Sequence, residues 1–265
     1  MVVIGLAGIG FVGNAIKTFF QKYENVIAYD KYKELDTKED VLETDLLFLS
    51  LPTLFDEKIN GYDKSAIIEV CDFLNSNKYK GVVILKSTVE PETTGKLSEK
   101  YTNLKIIHNP EFLTARTAIE DFANQKHIVL GKGPNCNDSD VKVVEDLYRK
   151  YFPEAEISLC SSIESESMKI MCNSFYASKI MIFNEYFLLS QKNGSDFERI
   201  KGLMLKNGWI NPMHTNVPGP DGLLAYGGAC FPKDTQALNK YMESYQSENM
   251  VLSNVINQCK LLRKE

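Results

Sequence analysis

The stretch that decides the fold is Val2-Val3-Ile4-Gly5-Leu6-Ala7-Gly8-Ile9-Gly10-Phe11-Val12-Gly13, at the start of a 265-residue chain. The apolar run Val2–Leu6 reads as a buried strand, and the glycines that follow open an amphipathic segment, Val12–Tyr23. In a G-x-G-x-x-G turn between strand and helix, Gly8, Gly10 and Gly13 let backbone N–H groups and a helix N-terminus approach a pyrophosphate. A second apolar run, Val26–Tyr29, ends at Asp30, about twenty positions on, where a carboxylate accepts hydrogen bonds from the adenosine ribose hydroxyls. An acid there repels a 2′-phosphate, so the turn predicts NAD rather than NADP, with the neighbouring Lys31 pulling the other way. The lesser alternative is that Asp30 is only a turn residue at a strand end.

Outward from that turn, short apolar runs alternate with amphipathic segments as far as residue 160. The runs are Val2–Leu6, Val26–Tyr29, Leu46–Leu51, Val82–Leu85, Ile106–His108, His127–Leu130 and Ile157–Leu159. The intervening helices fall near Val12–Tyr23, Lys64–Asn77, Glu92–Tyr101 and Ser139–Phe152. Such alternation predicts an α/β domain, a Rossmann-type, doubly wound, mostly parallel sheet covered on both faces, over residues 1–160. From Ser162 to Asn193 the chain runs without Pro or Gly, with Met168, Met171, Phe175, Ile180, Phe183 and Leu189 among its apolar positions. That is one long helix, on the order of 45 Å. Gly194-Ser195-Asp196 ends it and caps a helix to about Asn207; residues 208–229 form a loop, and helices Lys233–Ser244 and Glu248–Lys264 close the chain. Residues 161–265 are therefore expected as an all-helical domain. Its long helix is too apolar around its circumference to stand alone, which predicts a homodimer through it.

Composition narrows the partners. With 44% hydrophobic and 25% charged residues the chain is an ordinary globular protein. Thirty basic against 35 acidic residues, a net charge of −5 and no basic stripe argue against nucleic acid or an anionic membrane as a partner. No apolar run approaches the ~18 residues that span a bilayer. Six scattered cysteines without C-x-x-C or zinc-ligand spacing read as reduced thiols of a cytoplasmic protein that holds no metal.

One cysteine stands apart. Tyr226-Gly227-Gly228-Ala229-Cys230-Phe231-Pro232-Lys233-Asp234 sets a thiol on a sharp turn at a helix start, where the helix dipole and Lys233 favour thiolate. A thiolate there attacks a carbonyl carbon; the plain alternative is a small inert core residue. Asp234, four positions beyond, turns its carboxylate back towards the thiol or serves only the helix dipole. Lys169 and Asn173, four apart on the long helix, share a face and suit a developing oxyanion, or are a surface lysine and a polar neighbour. Glu166, one turn before, would orient Lys169. His108 and His127 read as structural histidines in or beside strands, and His214 receives no role.

Together the glycine turn, Lys86-Ser87-Thr88-Val89, Asn109-Pro110-Glu111-Phe112-Leu113, Glu166-x-x-Lys169-x-x-x-Asn173 and Gly227–Asp234 resemble the UDP-glucose/GDP-mannose dehydrogenase family. The blocks come in the family's order from Gly8 to Asp234. The resemblance implies NAD-dependent oxidation of the 6-hydroxymethyl of a nucleotide sugar, such as UDP-glucose to UDP-glucuronate, with Cys230 carrying a thiohemiacetal and then a thioester. It implies that Asp234 with Lys169 holds a water and handles the first proton, that Thr88 lies near cofactor and water, and that Glu111 activates water on the thioester. Without it, Thr88 is a helix cap and Glu111 a first-turn acid. Two departures stand out: Ala115 replaces an acid that many members carry four positions after Glu111, and no C-terminal UDP-binding domain is visible. The alternatives are a non-catalytic NAD-binding or assembly module, a fragment served by a separate UDP-binding domain, or a 3-hydroxyacid-type dehydrogenase, whose chemistry would not need Cys230.

Overall fold

Period-two burial explains how the first half folds. In a computed structural model that describes residues 2–264, alternate residues of each central strand enter opposite cores. Leu46, Phe48, Val82 and Ile84 join one cluster, with Phe20, Phe122, Val144 and Tyr148. Leu47, Leu49, Val83 and Leu85 join the other, with Ile67, Leu74, Leu97 and Tyr101. A sheet buried on both faces needs helices on both, and the sequence supplies them.

The elements run β1 (Val3–Ala7), α1 (Phe11–Phe20), β2 (Asn25–Tyr29), a short 3₁₀ turn (Asp40–Glu43) and β3 (Leu46–Leu49). They continue with β4 (Phe55–Asp56), β5 (Gly61–Tyr62), α2 (Ser65–Ser76), β6 (Val82–Leu85), α3 (Thr93–Lys100), β7 (Lys105–His108) and α4 (Ala118–Ala123). Then come β8 (His127–Lys132), α5 (Asp138–Tyr151), β9 (Glu156–Ser161), α6 (Ser162–Asn193), α7 (Phe197–Lys206), α8 (Phe231–Ser244) and α9 (Met250–Arg263). The seven-stranded sheet has the order β2-β1-β3-β6-β7-β8-β9. Its register sets Ile4 beside both Val26 and Leu46. All neighbours are parallel except β7 and β8, which pair antiparallel through Ile107 with Lys132 and His108 with Gly131. The strand order reverses at β1 and β3, and ligands of such sheets sit at the carboxyl ends beside that reversal.

The chain divides into two compact units, residues 1–54 with 62–169, and residues 55–61 with 170–265. Helix α6 begins in the first and continues through the second. In the second unit Ala177, Met181, Tyr226 and Cys259 form one cluster, and Phe183, Phe197 and Val217 another. Asp196 caps α7, its side chain accepting from Arg199 N at 3.1 Å. Three features were not foreseen: the six-residue α4, the small β4–β5 sheet, and the reversed direction of β8.

Candidate active site

The glycine turn lies at the carboxyl end of β1. Gly8 has φ +90° and its N–H donates to Tyr29 O at 2.9 Å. A Cβ on Gly8 would come within 2.5 Å of Ser50 O, whereas one on Gly10 would meet nothing within 4 Å. Gly10 is the N-cap of α1, with no side-chain cap and no acid in the first turn. The helix start thus keeps its positive end uncompensated beside open space, which fits a pyrophosphate. Asp30 braces this turn: Oδ2 accepts from Ile9 N at 2.7 Å and Oδ1 from Tyr32 N at 3.0 Å. Each carboxylate oxygen keeps a lone pair for a ribose hydroxyl. Lys31 pairs with Glu69 at 2.9 Å, which offsets its charge beside Asp30.

Along the same sheet edge, Ser87 Oγ accepts from Leu51 N at 3.0 Å and donates to Leu51 O at 2.7 Å, joining the ends of β3 and β6. Thr88 follows, its carbonyl accepting from Thr53 Oγ1 at 2.8 Å. Helix α3 is N-capped at Glu92, four residues beyond Thr88, so Thr88 does not cap it. Glu111 lies in the loop after β7, with no helix starting there, so it is not a first-turn acid. Its Oε2 accepts from Leu113 N at 2.6 Å, and Lys169 Nζ donates to its carbonyl and lies 3.4 Å from its Oε1. Lys169 and Glu111 are both largely buried, and the ammonium also sits 5.2 Å from the centre of the Phe112 ring. The first unit therefore brings Lys169 and Glu111 together, as neither position alone would indicate.

In the second unit the predicted turn puts Cys230 at the N-cap of α8, exposed, with Gly228 at φ +79° and Pro232 in the first helical turn. Asp234 is fully buried one turn along. Its Oδ2 accepts from Asn173 Nδ2 at 2.6 Å and its Oδ1 pairs with Lys233. Asn173 and Asp234, 61 positions apart, are thus in direct contact, and Lys233 serves the aspartate. The preceding loop is pinned from two helices. Asn184 of α6 accepts from Ala225 N at 2.9 Å, and Arg263 of α9 pairs with Asp221 at 2.8 Å. His214 lies against Tyr176, the rings tilted by 31° with centres 4.9 Å apart, and burial pushes its pKa down.

Residues 21–152 match the NAD binding domain of the UDP-glucose/GDP-mannose dehydrogenase family, and residues 163–259 match that family's central domain. The chain belongs to this family. It is 32% identical over 230 residues to a UDP-glucose 6-dehydrogenase of Rickettsia bellii, covering 82% of this chain and 50% of that protein. It is 30% identical over 206 residues to one of Campylobacter jejuni, covering 76% of this chain and 49% of the relative. The chain thus spans about half the length of these curated relatives. Its fold is that of a UDP-glucose dehydrogenase structure from Pyrobaculum islandicum, with a TM-score of 0.85 at 23% identity over 97% of this chain and 67% of the other. As a family member with this domain the chain uses NAD. When bound, NAD supplies the hydride acceptor. Among the described residues no helix is long and apolar enough to cross a membrane.

The partners of several polar residues were not legible in the sequence. Glu166 does not orient Lys169: its Oε1 accepts from Thr94 N and Oγ1, at 2.7 and 2.6 Å, and so caps α3. Its Oε2 has no partner, and burial pushes its pKa up to about 7, against the hydrogen bonds from Thr94 that lower it. His108 is fully buried, Nδ1 bonded to Ser165 Oγ at 2.8 Å, and desolvation with the nearby Lys86 pushes it down to about 3. His127, by contrast, is exposed and bonded to Ser158 Oγ at 2.8 Å. Lys86 opens the Lys86-Ser87-Thr88-Val89 motif, and nothing in that motif assigns it a role. It is buried, bonds Asn109 Oδ1 at 3.0 Å and Pro110 O at 3.3 Å, and desolvation pushes it down to about 7. Its one local signal is that a lysine directly extends the wholly buried run Val82–Leu85.

Proposed function

We propose that this chain carries the chemistry of an NAD-dependent nucleotide-sugar 6-dehydrogenase, acting on UDP-glucose to give UDP-glucuronate through covalent intermediates on Cys230. The observation that carries the reading is the order at the start of α8: an exposed thiol at the N-cap, followed one turn later by a buried aspartate that Asn173 engages at 2.6 Å. The Asn173 amide and the Lys233 ammonium offset the loss of water at the Asp234 carboxylate and hold it one turn from the thiol. The names of the curated relatives support the choice of UDP-glucose.

In this reading the sugar's 6-hydroxyl loses a proton to a water held by Asp234 with Lys169, and C6 loses a hydride. Thr88 orients cofactor and water. The Cys230 sulfur then adds to the aldehyde carbon, and the oxygen takes up a proton, giving a thiohemiacetal. Lys169 and Asn173 stabilise the developing oxyanion. Loss of a second hydride and proton gives a thioester. Water, deprotonated by Glu111, attacks that carbon; the C–S bond breaks, and the acid leaves with the thiol restored. Two hydrides leave per sugar.

We infer cytoplasmic work and a homodimer, the dimer supported by the exposed apolar side chains Phe175 and Leu189 of α6 and Leu203 of α7. The test is NADH formation over a panel of UDP-sugars, with intact mass of the protein. UDP-glucose should yield two NADH per acid formed. Cys230→Ser should abolish acid formation and the covalent adduct while leaving NAD binding intact. Full four-electron turnover by Cys230→Ser would refute the covalent route, and no NADH with any UDP-sugar would leave a non-catalytic NAD-binding module.

A further inference from the structure

Two buried ammonium groups hold successive carbonyls of one short loop. Lys169, from α6, donates to the carbonyl of Glu111. Lys86, at the carboxyl end of β6, donates to the carbonyl of Pro110 at 3.3 Å and to Asn109 Oδ1 at 3.0 Å. Asn109 is itself clamped, accepting from Tyr148 OH on α5 and donating from Nδ2 to Val129 O on β8 at 2.8 Å. Lys86 thus grips the sheet through Asn109 and the glutamate loop through Pro110.

A loop carbonyl is satisfied at little cost by water or by a neutral N–H, whereas an ammonium is costly to bury. Lys86 is only 3% exposed, and desolvation pulls its pKa to about 7 even though the negative charge of Glu111 pushes it up. The charged groups that act on it are Glu111, which pushes its pKa up, and Lys169, which pushes it down. Such a group is hard to account for as filling, since methionine would occupy the same space without the penalty. What a lysine supplies here, and methionine does not, is a nitrogen donor with the reach to bond Asn109 and Pro110 together.

We propose that Lys86 is a positioning residue for release of the product acid, holding Asn109-Pro110 so that Glu111 presents its carboxylate to the hydrolytic water. The proposal rests on the thioester chemistry above. In the step concerned, water oxygen bonds to the thioester carbon, its proton passes to Glu111, and the C–S bond breaks to leave the thiolate of Cys230. Lys86 touches none of these atoms; it sets where the carboxylate stands.

The test uses Lys86→Met and Lys86→Gln, the latter keeping a neutral donor, with NAD titration as the control for folding. Mixed with UDP-glucose and NAD, the variants should form two NADH per site at the unmodified rate and then stall. The steady rate should fall at least about 10-fold, and the adduct on Cys230 should accumulate. In Lys86→Ala, methylammonium should restore release. Independently of substrate, amide hydrogen exchange at residues 109 and 111–113 should quicken in the variants. Release at the unmodified rate, unchanged exchange, or loss of NAD binding in both variants would overturn the proposal. An unmodified protein that makes no NADH would refute the dehydrogenase reading instead, while the exchange measurement would still decide whether Lys86 holds the loop.

Discussion

At the scale of single residues, the glycine turn separates two reasons for the same amino acid. Gly8 is required by the protein itself: φ +90° is rarely adopted by residues with a side chain, and a Cβ would stand 2.5 Å from the Ser50 carbonyl. Gly10 has open space where its Cβ would be, so its lack of a side chain serves what approaches from outside. Gly8→Ala should therefore cost at least about 2 kcal/mol of stability, read by urea denaturation. Gly10→Ala should lose no more than about 1 kcal/mol of stability, as an N-cap glycine replaced by alanine, and bind NAD roughly 10-fold more weakly, a change of about 1.4 kcal/mol, read by calorimetric titration. If Gly10→Ala bound NAD like the parent, the turn would not be where the pyrophosphate lies.

At the scale of elements, helix α6 does more than its sequence declares. Its length was legible, because thirty-two residues without Pro or Gly leave no other reading. Its first turns, however, work at a distance. Glu166 caps α3 from 72 positions away, and Ser165 bonds His108 from 57. No local pattern encodes such partners, which explains why Glu166 was assigned to Lys169 instead. The same limit hid α4, six residues in a polar stretch, and the direction of β8, since an apolar strand reads alike both ways. Glu166 has a measurable consequence. Burial holds its folded pKa near 7, against an ordinary 4.5, so between those values the unfolded chain has lost the proton that the folded one keeps. Stability is then fully present below about pH 4.5 and declines as pH rises through 7, by at most about 3 kcal/mol. Glu166→Gln keeps the acceptor for Thr94 and removes the titration. Denaturation at pH 5 and pH 8 should show the parent losing stability relative to the variant; parallel losses would mean that Glu166 is ionised in the fold.

At the scale of the whole molecule, the candidate site was readable as types of residue, but its pairings were not. The motifs supplied Lys169, Glu111, Asn173 and Asp234 as separate letters. The fold pairs Lys169 with Glu111 and Asn173 with Asp234, contacts 58 and 61 positions apart. The apolar periphery of α6 was equally plain, and it leads to the last prediction. Phe175 is 65% exposed, Leu189 58% and Leu203 on α7 60%. Scattered exposed apolar side chains are normal in a soluble protein, but here large ones recur along one pair of neighbouring helices. Covering them with a second copy of the chain removes that surface from water, at roughly 25 cal/mol per Å² of apolar area buried. Sedimentation equilibrium should therefore give twice the chain mass. Phe175→Glu should shift the molecule towards the monomer without affecting NAD binding, because the residues assigned to the cofactor lie in the first unit. A parent that sediments as a monomer at micromolar concentration would remove the dimer from the reading and leave these side chains to some other partner.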